Sequence, residues 1–319
     1  MKPNAFFDLH CDTLYECLRQ KKHLDRNDLH FSFEKASEFP RFTQVLAVWS
    51  DAKDSEDVNF SKFLQARELL DTELASPSVS VTFCRSAEEL AKAERRGENA
   101  VILAVEGGKL IGNDLQKIDR LYEAGVRLLT LVWNQTCAIG GAHDTDQGLT
   151  LFGREVVKRC LSLGILPDLS HASGKMTDEV LAMCEETGSV CLATHSNSFS
   201  VCHHRRNLTD DRFQRLVSLG GICGISLCTY HLTDGESCTV ENVAEHILHG
   251  LSLGGENAIC LGCDLDGVES LPEPMHSVAD LEMLADCLAR HGVSDRQINQ
   301  IFSENAGRFF KNHLGKCQK

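Results

Sequence analysis

The chain repeats one unit, in which a short apolar run is followed by a segment with helical spacing. Eight such runs are five to seven residues long and almost continuously apolar, as expected for strands buried on both faces of a parallel sheet. They cover residues 4–9, 43–49, 101–106, 127–133, 165–169, 190–194, 221–226 and 259–264. Because eight strands that alternate with helices can close into a barrel, the pattern predicts an α/β fold of the (β/α)8, or TIM barrel, class.

Helical patterns fill most of the intervals between these runs, and several of them stop directly before a glycine. The helices expected over 154–163, 177–187 and 210–219 end at Gly164, Gly188 and Gly220. Glycine at this place is typical of a helix end that leads into a strand. Further helical stretches follow the last run, and no linker or low-complexity segment divides the chain. We therefore expect residues 1–319 to form one barrel domain with C-terminal helices.

An open, doubly wound sheet is the competing architecture for alternating strands and helices. Such a sheet would need a glycine-rich phosphate-binding turn after an early strand. The first run leads instead into His10, Cys11 and Asp12, with no glycine. The barrel is the better supported of the two architectures.

The composition restricts the partners and the location of the protein. Its 319 residues carry a formal net charge of −14, which argues against nucleic acid and anionic membranes as partners. No run approaches the ~20 apolar residues of a membrane-spanning helix, and the first residues lack an apolar signal core. The fifteen cysteines are scattered, many of them inside apolar runs, which is typical of buried thiols in a reducing compartment. We expect a cytoplasmic protein.

Residues of the kinds that bind metals follow five of the eight runs, at the point where each strand ends. They are His10, Asp12, Glu106, His171, His195 and Asp264. In a barrel, the C-terminal ends of all strands meet at one face, where the loops build the active site. Three histidines and three carboxylates on that face suit a pair of divalent metal ions and a hydrolytic reaction. The predicted barrel is therefore of the metal-dependent hydrolase type.

The local context of these residues suggests how each would act. His10 and Asp12 would point to the same side of an extended strand and could chelate one ion. Glu106 ends an apolar strand, where its two oxygens could bridge two ions, although a helix-capping carboxylate is the alternative. Asp264 follows the last strand and suits a general base or a proton shuttle beside a metal-bound water.

A basic cluster, residues 203–206, lies in the loop after the sixth run. Such a cluster is usually an ordinary solvated surface. Above a metal centre, however, an arginine fork could bind the carboxylate of a substrate. Both interpretations stay open at this point.

In combination, these motifs resemble the membrane (renal) dipeptidase family of zinc metallopeptidases, which are amidohydrolase-like barrels. The matching segments run in order through most of the chain, with the spacing of the family. They are Asp8-Leu-His-Cys-Asp12, Glu106-Gly-Gly108, Leu128-Leu-Thr-Leu131, Asp168-Leu-Ser-His-Ala-Ser173, His195-Ser-Asn-Ser198, Arg205-Arg-Asn207, Gly262-Cys-Asp-Leu-Asp-Gly-Val268, Glu304-Asn305 and Arg308-Phe-Phe310.

The resemblance implies two zinc ions and a set of roles. One ion would be held by His10, Asp12 and Glu106, and the other by Glu106, His171 and His195. Arg206 would bind the substrate, and Asp264 would handle the proton and the substrate amino group. By analogy with relatives, the resemblance also implies a homodimer.

One position departs from the family pattern. Mammalian-type members have a histidine after the fourth strand that polarises the scissile carbonyl, and this chain has Trp133 there. Asn134 and His143, in the loop over residues 134–149, are the candidates to replace it in binding the substrate, unless the metal ions suffice.

The sequence therefore predicts a metal-dependent dipeptidase. In this prediction a hydroxide that bridges two divalent ions, with zinc the expected metal, attacks the peptide bond of a dipeptide. Glu106 and Asp264 are the expected catalytic residues. One alternative is another binuclear hydrolase of the same barrel type, acting on a lactone, a cyclic amide or an acylated amino acid. The other is an inactive binding barrel, which would have no reason to retain a costly cluster of buried carboxylates.

Overall fold

A parallel sheet of eight strands forms the frame of the molecule. The computed structural model describes residues 3–76 and 78–318. The strands are β1 (Phe6–Cys11), β2 (Phe42–Trp49), β3 (Val81–Phe83), β4 (Asn99–Glu106), β5 (Val126–Thr130), β6 (Leu166–Asp168), β7 (Cys223–Ile225) and β8 (Ile259–Leu261). Seven of them follow the spatial order β6-β5-β4-β2-β1-β8-β7, and β3 pairs only with β4. All these pairings are parallel.

The segment over residues 190–194 closes this sheet into a barrel. Leu169 N donates to Leu192 O at 2.8 Å, and Ala193 N donates to Ile222 O at 3.0 Å. Isolated parallel bridges at Leu192 and Ala193 thereby join β6 to β7. The segment thus occupies the sixth position of an eight-membered ring, as the sequence predicts.

The structure differs from the predicted strands at two places. Residues 190–194 form only these two bridges, because the amides at both ends of the segment donate to side chains. Val190 N donates to Gln318 Oε1 at 2.6 Å, and Thr194 N donates to Asp168 Oδ1 at 2.8 Å. The other difference is β3, a three-residue strand that was not predicted. It pairs with Asn99–Val101 at the start of β4, whereas β5 pairs with Leu103–Glu106 further along β4.

Helices follow the strands and cover the outside of the barrel. The α-helices are α1 (Thr13–Gln20), α2 (Phe33–Ala36), α3 (Glu56–Leu74), α4 (Ala87–Arg95), α5 (Gln116–Glu123), α6 (Leu151–Leu163), α7 (Gly174–Thr187), α8 (Asp210–Ser218), α9 (Thr229–Leu232), α10 (Val240–Ser252), α11 (Leu281–Arg290), α12 (Asp295–Asn299) and α13 (Asn305–His313). Shorter 3₁₀ turns cover Gly108–Ile111, Gly255–Asn257 and Val278–Asp280, and a π-helical turn covers Gln300–Glu304.

Side-chain caps fix where the helices next to the site begin. The Ser173 hydroxyl accepts from Met176 N at 3.0 Å, and the Thr150 hydroxyl accepts from Gly153 N at 2.9 Å. Such a cap stabilises a helix by about 1 kcal/mol. Ser173 also donates to Gln147 O, so the start of α7 holds the end of the 134–149 loop.

Each barrel strand is buried on both faces, as the apolar runs predict. In β4, Val101, Leu103 and Val105 join one apolar cluster, while Ile102 and Ala104 join another. Because strand side chains alternate, the face that bears Ile102 and Ala104 continues into Glu106. The carboxylate therefore extends from a fully packed core.

Within the described residues, no helix is both long enough and apolar enough to span a bilayer.

Candidate metal centre and active site

Six predicted side chains converge at the C-terminal ends of the strands. Their ligand atoms form three overlapping groups, each within 4.8 Å. The groups are His10, Asp12 and Glu106; Glu106, His171 and His195; and His10, His195 and Asp264. The barrel therefore brings together all the residues that the sequence singles out for metal binding, together with Asp264.

His10 and Asp12 reach the cluster by different routes. His10 lies inside β1. Asp12 precedes α1 as its N-cap residue, with φ −96° and ψ 5°, so the extended conformation expected from the sequence is wrong at this residue. The turn still places Asp12 Oδ1 3.6 Å from His10 Nε2. The two side chains therefore lie on the same side of the site because of this turn, and not because side chains alternate along a strand.

Glu106 is the centre of the cluster. Its Oε1 lies 2.9 Å from His171 Nε2 and 3.2 Å from His195 Nε2, and its Oε2 lies 3.7 Å from His10 Nε2. The two oxygens thus face the two halves of the ligand set. Although burial would raise the pKa of Glu106, His10 and then His171 hold it well below its usual value through their charges and hydrogen bonds.

The loop over residues 134–149 fixes the ring of His171. Asn134 Oδ1 lies 2.8 Å from His171 Nδ1, and because an amide oxygen only accepts, His171 Nδ1 must carry the hydrogen. His171 Nε2 is then left with a free lone pair that points into the site. Asn134, expected from sequence to bind substrate, is therefore placed to orient a metal ligand. His171 itself has φ +68°, a left-handed conformation that a histidine adopts at some cost.

A buried network fixes His195 in the same tautomer. The Thr194 hydroxyl uses its hydrogen to donate to Asp168 Oδ2 at 2.6 Å. Only the lone pairs of the Thr194 oxygen are then available to His195 Nδ1, which lies 2.7 Å away. His195 Nδ1 must therefore donate, which leaves its Nε2 with a lone pair. Asp168 also accepts from Ser170 N and Thr130 Oγ1. It supports the site without touching the ligand cluster, a role that its place in the sequence does not reveal.

The donor set fits divalent cations. His171 Nε2 and His195 Nε2 lie 3.0 Å apart, and both present lone pairs to each other and to Glu106. Both ring nitrogens of His10 and Asp12 Oδ1 are buried with no hydrogen-bond partner among the described residues. Buried polar atoms are normally paired, and converging lone pairs of this kind are neutralised by metal ions, for which imidazole and carboxylate are ordinary ligands.

The ligands shift one another's pKa values in the metal-free protein. Burial, followed by Arg206, lowers the pKa of His171 to about 4, so this imidazole is neutral and able to bind a metal. Burial, followed by the charge of Glu106, raises the pKa of Asp12 to about 7. Burial likewise raises the pKa of Asp264 well above its usual value. Bound cations would offset the electrostatic cost of holding these buried carboxylates close together.

Asp264 joins the cluster through a strained turn after β8. Its backbone has φ +58°, and its amide donates to His10 O at 3.0 Å. Its Oδ1 lies 3.8 Å from His10 Nε2. Gly267 closes the same turn, and a Cβ at this position would lie 2.3 Å from Asp264 Oδ1 and 2.5 Å from Asp12 Oδ2.

Replacing Gly267 by alanine is therefore expected to damage the site while the fold persists. The added methyl group would displace the carboxylates of Asp264 and Asp12, so we expect metal affinity or turnover to fall roughly 10- to 100-fold, as for groups that orient ligands. Metal titration and steady-state kinetics measure this effect. Gly307→Ala, inside the helix α13, is the control, because its φ is not in the left-handed region and the nearest atom to a Cβ there is the flexible Lys311 Cε at 4.0 Å. Equal behaviour of the two variants would contradict the expectation.

The two neighbouring arginines point in opposite directions. The side chain of Arg205 is 56% exposed and binds Asp146 Oδ1 and Asp144 O, so it is a surface residue that holds the 134–149 loop. Arg206 is only 4% exposed. Its Nη1 donates to Ser196 Oγ at 3.2 Å, while Nε and Nη2 have no partner among the described residues. Of the two, Arg206 offers a free fork beside the metal ligands.

A cleft of about 740 Å³ opens above the ligands, within the ~300–1,000 Å³ typical of small-molecule sites. His143 lines it, and the Nδ1 atom of this residue is buried with no hydrogen-bond partner in the described part of the chain. His231, to which the sequence analysis assigned no role, also lines it, and burial, followed by Arg206, lowers its pKa to about 2. His231 lies shortly after β7, so the rule that polar residues past a strand end are candidates could have found it.

The comparisons with known proteins agree with this geometry. The profile of the membrane dipeptidase family, peptidase family M19, matches residues 1–315. The chain belongs to this family. It is accordingly a hydrolase, a metal-dependent dipeptidase.

Solved structures of metallopeptidases share the fold. Dipeptidase AC, a metallopeptidase of family M19, has a TM-score of 0.90 and 24% identity over 99% of this chain and 100% of its own. A metallopeptidase from Rhodobacter sphaeroides, solved with a phosphinate mimic of the dipeptide L-Ala-D-Ala, has a TM-score of 0.88 and 24% identity over 98% and 100%. An amidohydrolase from Pseudomonas aeruginosa has a TM-score of 0.75 and 19% identity over 98% and 96%. The predicted TIM barrel is confirmed.

Proposed function

We propose that this M19 family member hydrolyses dipeptides that carry a free C-terminal carboxylate. One observation carries the proposal: two nitrogen atoms of the buried Arg206 guanidinium have no hydrogen-bond partner among the described residues, and Arg206 lies near enough to Asp264 and Glu106 for their charges to act on its pKa. A buried fork of this kind pairs best with a carboxylate, by two parallel hydrogen bonds. The substrate mimic in the Rhodobacter sphaeroides neighbour is of the same dipeptide class.

We further propose that two divalent ions, with zinc the expected metal, are bound by the two ligand groups that share Glu106. His10, Asp12 and Glu106 would hold one ion, and Glu106, His171 and His195 the other. Such ions would supply a water of lowered pKa, the bridging hydroxide that attacks the scissile carbonyl, and positive charge for the oxygen that becomes negative. Asn134 and Thr194 hold the imidazoles so that their Nε2 lone pairs face the ions.

The remaining groups of the site act on the substrate itself. In this proposal Asp264 accepts a proton from the attacking water and returns it to the leaving amine. His143 is a neutral imidazole, because burial lowers its pKa to about 4, and it faces the cleft. It is therefore the better candidate than Asn134 to donate a hydrogen bond to the carbonyl oxygen. Trp133, at the family's histidine position, offers an indole N–H in place of an imidazole.

Arg206→Ala is expected to raise KM far more than it lowers kcat. Removing a charged hydrogen bond to the substrate costs about 1.5–3 kcal/mol, which corresponds to roughly 10- to 150-fold in kcat/KM. Kinetics on Ala-Ala and on its C-terminal amide would test the assignment. The wild type should discriminate strongly against the amide, and the variant should lose that discrimination because the fork is gone.

Arg205→Ala is the matched control, since this substitution removes the same positive charge from the neighbouring, exposed residue. Only a small change in KM is expected, because exposed ion pairs contribute little. If Arg206→Ala retains its preference for the free carboxylate, Arg206 does not bind the substrate, and the proposed dipeptide orientation is wrong.

We also propose that the enzyme works in a reducing compartment such as the cytoplasm. All fifteen cysteines are free thiols, and most of them are buried. Thiols in this state are typical of proteins that do not meet oxidising conditions.

A further inference from the structure

The two tryptophans of the chain stack on each other at the edge of the cleft. The rings of Trp49 and Trp133 stack with centroids 4.9 Å apart and an interplanar angle of 29°. Both line the cleft and are partly exposed. Tyr15 packs edge-on against Trp49 at 5.0 Å, and the Arg19 guanidinium lies 5.9 Å from the centre of the Trp49 ring. Tyr15 and Arg19 thus help to fix the Trp49 ring, and Arg19 lines the cleft together with the two indoles.

The backbone makes room for this pair. Trp49 ends β2 and Trp133 follows β5, and β4 lies between these two strands. Gly107, directly after β4, has φ +83°, and a Cβ there would lie 2.9 Å from the Cβ of Trp133. A larger residue at position 107 would push Trp133 away from Trp49. The glycine therefore allows one aromatic surface to extend across three strands beside Glu106.

This aromatic surface lies opposite Arg206. The ring of strands runs β1, β2, β4, β5, β6, residues 190–194, β7 and β8. Trp49 is the last residue of β2, the second strand in this ring, and Arg206 belongs to the loop after the sixth segment. The two residues therefore lie on opposite sides of the barrel mouth. The ligand cluster of His10, Glu106 and His195 lies between them.

We infer that the Trp49–Trp133 pair is the subsite for the side chain of the N-terminal residue of the substrate, and that it selects large apolar or aromatic side chains. The inference rests on the proposed function. If Arg206 holds the C-terminal carboxylate and the scissile bond lies over the metal ligands, the N-terminal residue extends away from Arg206, towards the tryptophans. An apolar side chain gains from contact with this surface in proportion to the area removed from water, and aromatic rings gain further by stacking.

The test uses the zinc-loaded full-length enzyme and dipeptides that differ at one end only. In the series Ala-Ala, Leu-Ala and Phe-Ala, we expect kcat/KM to rise roughly 10-fold or more from the first to the last. Trp49→Ala should lower the ratio of kcat/KM for Phe-Ala to that for Ala-Ala at least about 5-fold, mainly through KM. The ratio for Ala-Phe to Ala-Ala should stay the same, because that side chain lies on the Arg206 side.

Trp49→Phe and Trp133→Phe are controls for the case in which the alanine variant fails to fold. Each keeps a flat apolar surface and should retain most of the preference for an N-terminal Phe, with an unchanged far-UV spectrum. A wild type that cleaves Ala-Ala but gains nothing from N-terminal Leu or Phe would overturn the subsite, as would a Trp49→Ala effect confined to Ala-Phe. Failure to cleave any dipeptide would instead overturn the proposed function.

Discussion

Glu106→Gln is expected to remove at least one metal ion and to lower kcat/KM for dipeptides by roughly 1,000-fold or more, a loss of about 4 kcal/mol of transition-state stabilisation. The reason is the position of the two carboxylate oxygens, one near His171 and His195 and the other near His10. An amide has only one oxygen and no charge, so it cannot serve both sides. Elemental analysis of the purified variant and steady-state kinetics measure the two effects.

The fold should survive this substitution. In the metal-free protein, Glu106 is crowded by Asp12 and Asp264, whose pKa values it helps to raise, so a neutral side chain relieves repulsion. Glu88→Gln, the same chemical change on the exposed face of α4, is the matched control and should keep both metal and activity. Two bound ions and near-normal turnover in Glu106→Gln would refute the bridging role.

Asp264→Asn should lower kcat by roughly 100-fold or more, the usual scale for loss of a general acid–base group, while the metal content stays the same. Beside the two proposed cations the carboxylate would stay ionised, because nearby positive charge favours the charged form and opposes the effect of burial. Asparagine keeps the shape but cannot take up the proton. The measurements are kcat, the metal content and the thermal stability of the same preparation.

Asp266→Asn provides a contrasting control two residues away. Asp266 accepts from His30 N, Phe31 N and the Thr13 hydroxyl, so it ties the chain around residue 30 to the end of β8. Its loss should cost about 1–2 kcal/mol of stability and affect kcat less than Asp264→Asn does. Loss of metal from Asp264→Asn would instead make Asp264 a ligand, which its place near His10 and His195 permits.

The residues of the metal centre were predictable because their positions depend on local patterns. His171 and Glu106 follow apolar runs, and a parallel barrel gathers all such ends at one face. The local pattern alone could not distinguish Arg205 from Arg206, since the path of the loop backbone decides which of two adjacent arginines is buried. Only the resemblance to the family favoured Arg206. It misjudged the path through Asp12, where a turn replaces the strand.

The supporting residues were harder to predict. Asp168 acts through Thr194 on His195, and this chain of hydrogen bonds joins segments that are 26 residues apart. Asn134 and His171 are 37 residues apart. Nothing in a local pattern indicates which distant polar group completes a histidine, because that choice depends on how the loops pack. The left-handed conformations of His171 and Asp264 are likewise set by packing.

The hydrogen bond from His171 to Asn134 has a consequence for engineering the enzyme. Asn134 directly follows Trp133 and belongs to the loop that carries His143, so a single stretch of chain shapes the cleft and also holds a metal ligand in its working tautomer. Loop exchange is the usual way to give a barrel a new substrate. In this barrel, a grafted loop that lacks an amide at position 134 would leave His171 free to rotate. A library designed to vary selectivity should therefore keep Asn134 fixed while the residues around it change.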